Sequence, residues 1–545
     1  MPWIQALSPI AGSSALSALV AAAPLAVVFT CLAVLRMKAV KATSLALLSA
    51  LGVCILAWGM PARLAVLAAL QGAAFGLFPV YFIVLSTLFL YNITVKGGQF
   101  EVIRSSLANV TSDRRLQALL IAFCFGAFIE GAAGFGTPVA IAGATLVGLG
   151  FRPFYAAGIC LVANTAPVAF GAIGTPIVAL GGVMGLNDAG LMKLSTMIGH
   201  QLPLLSCVVP FYIILIMVGF GRTIEVLPAI ATCGAVFAVC QWATASFLGP
   251  YLPDIIASLA SMGALLVLLR LWRPATIFRF EHDVPVEDAR PAFTSAQVFR
   301  AWAPYFTLTV AVLLWGMPPV KAALDRSTVM VAVKGLDKAI VRVAVGPAAA
   351  RPVPAVFKLD YLATGGTAVL LAAFVSAFIC GLGAGETLGV LGKTLHDMRY
   401  PAITIASVLS LAYVMNASGM TACLGIFCTK AGHAFPFFSP ILGWLGVFLT
   451  GSDTSSNVLF GGLQKAAAEQ LGISPLLTGA ANASGGVMGK MISPQSIAVA
   501  CAATGMVGEE GSLFRFTLRH SLVLLFFVCV LSFLQAYYLT WMIPA

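Results

Sequence analysis

The chain of 545 residues is 60% hydrophobic and only 9% charged, whereas a soluble domain carries roughly a quarter charged residues. That balance excludes a water-soluble fold and predicts an all-α polytopic membrane protein. The net charge of +11 does not point to nucleic acid, because the basic residues sit in short connections between apolar runs, as the positive-inside pattern requires.

A membrane-crossing helix needs about 20 apolar residues. Such runs occur near 15–35, 42–60, 64–91, 154–186, 196–220, 226–246, 251–270, 301–318, 361–382, 401–421, 474–502 and 519–542, which predicts about 12 transmembrane helices. The third and fourth runs are long enough to tilt or break. The N-terminal run lacks a basic leader and a clean processing site, so it is expected to stay as the first span. Two further apolar stretches, 116–150 and 437–470, are cut at their midpoints by Gly and polar residues. Each is expected to be a re-entrant helical hairpin. The 12 Cys lie mostly inside apolar runs without a Cys-x-x-Cys pair, and read as small packing residues rather than disulfides or metal ligands.

These runs divide the chain into N-terminal scaffold spans (1–115), a first unit (116–220: hairpin 116–150, broken helix 154–186) and scaffold spans (221–320). An extramembrane linker (321–360), further scaffold spans (361–436) and a second unit (437–545: hairpin 437–470, broken helix 474–502, last span) complete it. Arg36, Lys38 and Lys41 put the first loop in the cytoplasm. Parity then places Lys96, Arg104, Arg114, Arg115, Arg222 and the segment from Arg270 to Arg300 on the same side. The linker, with Lys321, Arg326, Lys334, Lys338, Arg342, Arg351 and Lys358, lands outside against the rule. Its alternating VMVAVKGLDKAIVRVAV predicts a small surface strand or interfacial element.

The two units echo each other. Asn164, Gly171, Thr175 and Pro176 match Asn482, Gly489, Ser493 and Pro494 at a constant offset of 318, and Gly126, Phe128 and Gly131 match Gly446, Phe448 and Gly451 at 320. By parity the first hairpin enters from the cytoplasm and the second from outside. That is the inverted arrangement in which substrate sits at the midplane between broken helices. Irregular backbone at membrane depth survives only where it is buried in protein or lines a polar cavity.

Within these units a few residues carry charge where charge is costly. Glu130 and Asp453 each need a partner, a proton or water, since a charge inside the bilayer costs at least about 2.5–3.5 kcal/mol. Either can load and release a proton; Asp453, followed by Thr454 and Ser455, equally suits a helix cap. Lys490, in the second break, suits an anionic substrate or a carboxylate partner, and snorkelling to an interface is the plain alternative. Asn164, Thr165, Thr175, Asn482, Ser484 and Ser493 flank the breaks, where helix N-termini favour a carboxylate. Gly134, Gly136, Gly485 and Gly486 would let backbone approach a ligand. Ser452, Thr454, Ser455, Ser456 and Asn457 form a hydroxyl and amide cluster suited to substrate hydroxyls, a cation, or the hairpin tip itself. No phosphate-binding loop, zinc-ligand set or nucleophile elbow is present in the sequence, so neither an ATP-driven pump nor a membrane hydrolase is expected.

GQFEVIRSS (98–106), FCFGAFIEGAAGFGTPVAI (123–141), NTAPVAFGAIGTPI (164–177), FFSPILGWLGVFLTGSDTSSN (437–457), GKMISPQSIAVACAATG (489–505) and LFRFTLRHSL (513–522) resemble the lactate permease family of bacterial secondary transporters. The resemblance spans essentially the whole chain. It implies uptake of 2-hydroxymonocarboxylates (L-lactate, D-lactate, glycolate) by proton symport across the bacterial inner membrane, without a cofactor. The linker and the span around Asn416 depart from the family pattern and leave the preferred hydroxyacid open. The rival readings are a sodium-coupled carboxylate carrier, a small-anion channel and a membrane enzyme. The central expectation is that Glu130 and Lys490 meet inside the protein, beside a shared water-accessible chamber.

Overall fold

The computed structural model describes residues 2–544 apart from Arg36, Asn109, Phe135, 281–292 and 343–350. Arg36, Phe135 and parts of the Arg270–Arg300 and 321–360 segments thus lie outside the described residues. Among the described residues, 11 helices are long and apolar enough to cross a membrane, and 12 when Pro153–Ala163 and Val168–Val183, bent by 66°, are taken as one span. The about 12 helices expected from the apolar runs agree with this.

Differences from the apolar runs are local and have local causes. The third run is one span over Ala62–Lys96, interrupted where Phe78 turns extended (φ −145°, ψ 121°) ahead of Pro79; the residue before a proline is sterically driven out of helical geometry. The 361–382 run yields only Gly365–Ile379, since Gly381 turns left-handed just beyond it (φ 78°). The alternating linker forms strands. Val329–Ala332 pairs antiparallel with Val356–Leu359, while Ile340–Arg342 pairs with Arg351–Pro352 and, in parallel, with Trp3–Ile4 at the N-terminus.

Residues 114–151 fold as a helical hairpin. One arm runs over Arg114–Ala132; the chain turns through Gly134 and Gly136 (φ 64° and 83°), and Thr137–Gly148 packs back against the first arm. The two ends meet, with the Arg114 guanidinium over the Phe151 ring at 5.6 Å. Arg115 anchors this end. Its fully buried guanidinium pairs with Asp113 (2.8 Å) and Glu225 (2.7 Å) and donates to the Arg222 and Thr276 carbonyls. Three connections are thereby tied to one face.

Phe435–Thr450 and Asp453–Leu471 form the second hairpin, turning at Gly451 (φ 70°). Its ends lie beside Tyr537, whose hydroxyl donates to the His433 carbonyl, and beside Arg342, paired with Glu469 at 3.4 Å. The long helix Glu510–Tyr537 relates the two faces. Phe516 near its start packs on Phe154, just past the first hairpin, and Tyr537 at its end meets the second. At 1.5 Å per residue these points are about 30 Å apart. The hairpins therefore start from opposite ends of the molecule.

Each hairpin is followed by a broken helix. In the first, Pro153–Ala163 ends at Asn164 and the chain resumes through Gly171–Val183, where Ala172, Ile173 and Gly174 are all left-handed (φ 44°, 53° and 69°). In the second, Pro475–Lys490 ends at Met491 and Pro494–Thr504 restarts behind the Ser493 cap.

Candidate functional site

The hairpin tips and the helix breaks converge. Glu130 lies in the last turn of Gly126–Ala132, Asp453 opens Asp453–Leu471, and Lys490 closes Pro475–Lys490. Glu130 and Asp453 are each 3% exposed and Lys490 8%, and both carboxyls lie within electrostatic reach of the one ammonium. Lys490 Nζ donates to the Gly451 carbonyl at 2.9 Å. A cation at a helix C-terminus and a carboxylate in a first turn both have the sign that the helix dipole favours. Glu130 does not, because it sits at a C-terminal end.

Among the described residues, Glu130 Oε2 and Asp453 Oδ1 have no hydrogen-bond partner, and the side-chain amide of Asn164 faces Glu130. Glycine makes the fit possible. A β-carbon at Gly171 would stand 2.7 Å from Glu130 Oε1, and one at Gly486 would stand 2.3 Å from Asp453 Oδ1. Buried polar atoms left without partners are uncommon in folded proteins and call for an explanation such as a water, an ion, a proton or a ligand.

A ladder of amides runs away from Asp453. Asn457 Nδ2 donates to Asp453 Oδ2 (3.0 Å) and to the Pro176 carbonyl (3.3 Å). Asn482 donates to Asn457 Oδ1 at 2.9 Å, Gln464 to Asn482 Oδ1 at 3.2 Å, and Ser439 to Gln464 Oε1 at 2.8 Å. The ladder joins the second hairpin, the second broken helix and, through Pro176, the first. Lys465, in the same helix as Gln464, donates to the Met184 carbonyl.

The remaining residues singled out by sequence divide into neighbours and bystanders. Gly134 lies against Glu130 at the hairpin turn, whereas Gly136 approaches Val499. Thr165 and Thr175 donate to the Val162 and Ala172 carbonyls within their own breaks. Ser452 caps its helix by accepting from the Ser455 amide, Thr454 is half-buried in the first turn, and Ser456 donates to the Gly443 carbonyl. Ser484 turns away to Gln201, which is itself bonded to Gln535. Gly485 packs against the Pro440 carbonyl, and Ser493 donates to Ser496. Gln241, Gln464 and Asp254 were not singled out by sequence. An acid one residue after a proline at the start of a span has an ordinary first-turn explanation, and a lone neutral amide such as Gln241 in an apolar run gives no signal.

A cavity of about 1110 Å³ opens at the end of the molecule that carries the linker sheets. Asp188, Lys321, Lys358 and Asp360 stand at its mouth, and Val178, Asn416 and Lys465 lie deeper. Lys321 and Lys358 both pair with Asp188 at 3.1 Å. The lining reaches Val178, just past the Pro176 carbonyl held by Asn457, and does not include Glu130, Asp453 or Lys490. Glu130 and Lys490 therefore lie within electrostatic reach of each other inside packed protein, and neither lines the large chamber.

Helices of this number around a buried ionisable centre define a polytopic membrane protein. A family model for L-lactate permease matches residues 17–539. The chain is 50% identical to the L-lactate permease of Bacillus subtilis (strain 168), covering 100% of both chains. It is 47% identical to the L-lactate permease of Escherichia coli (strain K12), over 99% of this chain and 100% of that one. It is 46% identical to the glycolate permease GlcA of the same strain, over 99% of each. The chain belongs to the L-lactate permease family, and is a multi-pass protein of the bacterial inner membrane.

Proposed function

We propose that this permease carries lactate and related 2-hydroxymonocarboxylates such as glycolate into the cell by proton symport. The relatives named L-lactate permease and glycolate permease support the substrate class. The observation that carries the coupling is the pair of buried carboxyls within electrostatic reach of one lysine, each with an oxygen unpartnered among the described residues. Lys490 and the helix ends hold the substrate carboxylate, and Asn164 with the amides of Asn457 and Asn482 receives the hydroxyl. Glu130, whose helix end disfavours a negative charge, takes the coupling proton; Asp453 serves as the resting partner of Lys490 and is released when the anion arrives. The two hairpins are re-entrant, and they and their broken helices move against the scaffold spans to open the site to each side in turn.

Purified protein in proteoliposomes tests this. An imposed inward proton gradient is expected to drive labelled lactate and glycolate above equilibrium, and a sodium gradient without a proton gradient is expected not to. Accumulation on sodium alone would replace proton coupling with sodium coupling. Glu130→Gln is expected to abolish proton-driven accumulation while lactate–lactate exchange continues. Unchanged accumulation in this variant would remove Glu130 from the coupling step.

A further inference from the structure

Beside the two carboxyls singled out by sequence stands a third. Asp254, in the first turn of Pro253–Leu271, is 1% exposed. Among the described residues its Oδ2 has no hydrogen-bond partner and it makes no ion pair. Its Oδ1 is 3.4 Å from Gln241 Nε2. Gln241 is itself fixed, donating to the Ala166 carbonyl inside the first helix break and accepting from Ser206.

The position is specific. A β-carbon at Gly131 would stand 2.8 Å from Asp254 Cβ, so Asp254 rests on the backbone next to Glu130, and the two carboxyls interact electrostatically. Gly131 is the repeat counterpart of Gly451, whose carbonyl Lys490 grips in the other half. A basic residue thus meets one hairpin tip and an acidic residue the other.

We propose that Asp254 and Glu130 act as one proton-holding pair, an inference that rests on the proton-coupled reading above. With the site empty, the pair shares one proton, Asp453 is ionised and Lys490 is charged. Arrival of a carboxylate anion with one proton fills the pair with two. One negative charge and one positive charge enter together, so the charge of the buried site is the same empty and loaded. Two adjacent carboxyls cannot both ionise readily in a dry site, which is what lets such a pair keep its last proton. The titratable groups facing Asp254 from the packed elements are few. Gly126–Ala132 presents Glu130; Cys124 and Cys233 lie farther along at Ser261; and Leu227–Phe247 otherwise presents the neutral Gln241.

The test is the pH profile of proton-driven lactate uptake in proteoliposomes for wild type, Asp254→Asn and Glu130→Gln. In the pair the coupling proton is the second to bind, onto a single charge already stabilised by the shared first proton; in Asp254→Asn Glu130 carries that charge alone and binds the coupling proton more tightly. Half-maximal uptake in Asp254→Asn is therefore expected about one pH unit or more toward alkaline, with exchange retained as proof of a folded carrier. A wild-type profile in Asp254→Asn overturns the pair. If Asp254→Asn loses exchange as well, Asp254→Glu decides: recovered exchange and uptake support the carboxyl, and failure to recover assigns Asp254 a structural role and overturns the proposal. Uphill uptake that survives in Glu130→Gln refutes the underlying coupling role whatever Asp254 does. Its loss there, beside an unchanged Asp254→Asn profile, refutes only the pair.

Discussion

Lys490 is held by the Gly451 carbonyl at 2.9 Å, at the favourable C-terminal end of its helix, with two buried carboxyls in electrostatic reach. Hydrogen bonds to a charged group contribute about 1.5–3 kcal/mol. Lys490→Ala is therefore expected to raise the KM for lactate in counterflow by about 10- to 100-fold, with a smaller change in maximal rate. An unchanged KM would return this lysine to a structural role. Glu130, Asp453 and Lys490 could be read from sequence because a lone charge in an apolar run is conspicuous on energetic grounds. Asp254 could not, since an acid one residue after a proline at the start of a span has an ordinary explanation as a first-turn residue. The amide ladder of Asn457, Asn482 and Gln464 was legible only in part. Asn recurs at matched positions of the repeat, whereas Gln464 sits in a polar stretch of helix with no periodic signal.

At the level of the element, what matters is how the helices break. Gly174 is left-handed, and a β-carbon there would stand 2.3 Å from the Pro250 carbonyl oxygen. Both atoms in that clash belong to the backbone or are fixed to it, so neither can swing aside. Gly174→Ala is expected to cost about 1–2 kcal/mol for the left-handed geometry alone, with the collision added. In detergent it should lower the melting temperature and depress uptake of both lactate and glycolate. Full stability would mean that the 249–254 connection can retreat from the break. The existence of the breaks was legible, because Gly and Pro interrupt runs too apolar to be loops. Their geometry was not. Nothing in the sequence places Ala172 and Ile173 in a left-handed turn, a conformation forced on them by the packing of neighbouring chain. The linker likewise announced strands by its alternation, but its pairing with Trp3–Ile4 links residues more than 300 apart, beyond the reach of local pattern.

At the scale of the whole molecule, two hairpins start from opposite ends and bring their tips to one buried centre. The basic connections around Arg115 and Arg222 gather at one end, and the linker sheets with Asp188 and Lys358 stand at the other. If each hairpin enters and leaves on one side, both of its flanks must be reachable from that side only. Ser112 and Arg152 flank the first hairpin, Ala431 and Gln470 flank the second, and all four are exposed. Single cysteines placed there, with the accessible Cys207, Cys240, Cys380 and Cys428 replaced by Ala, can be labelled with a membrane-impermeant maleimide in intact and inverted vesicles. Ser112→Cys and Arg152→Cys are expected to label only from the cytoplasmic side, and Ala431→Cys and Gln470→Cys only from outside. A split within either pair would make that hairpin a pair of crossing helices. The tips would then no longer be inverted copies meeting at mid-membrane, and the charges around Lys490 would have to be reached by some other route.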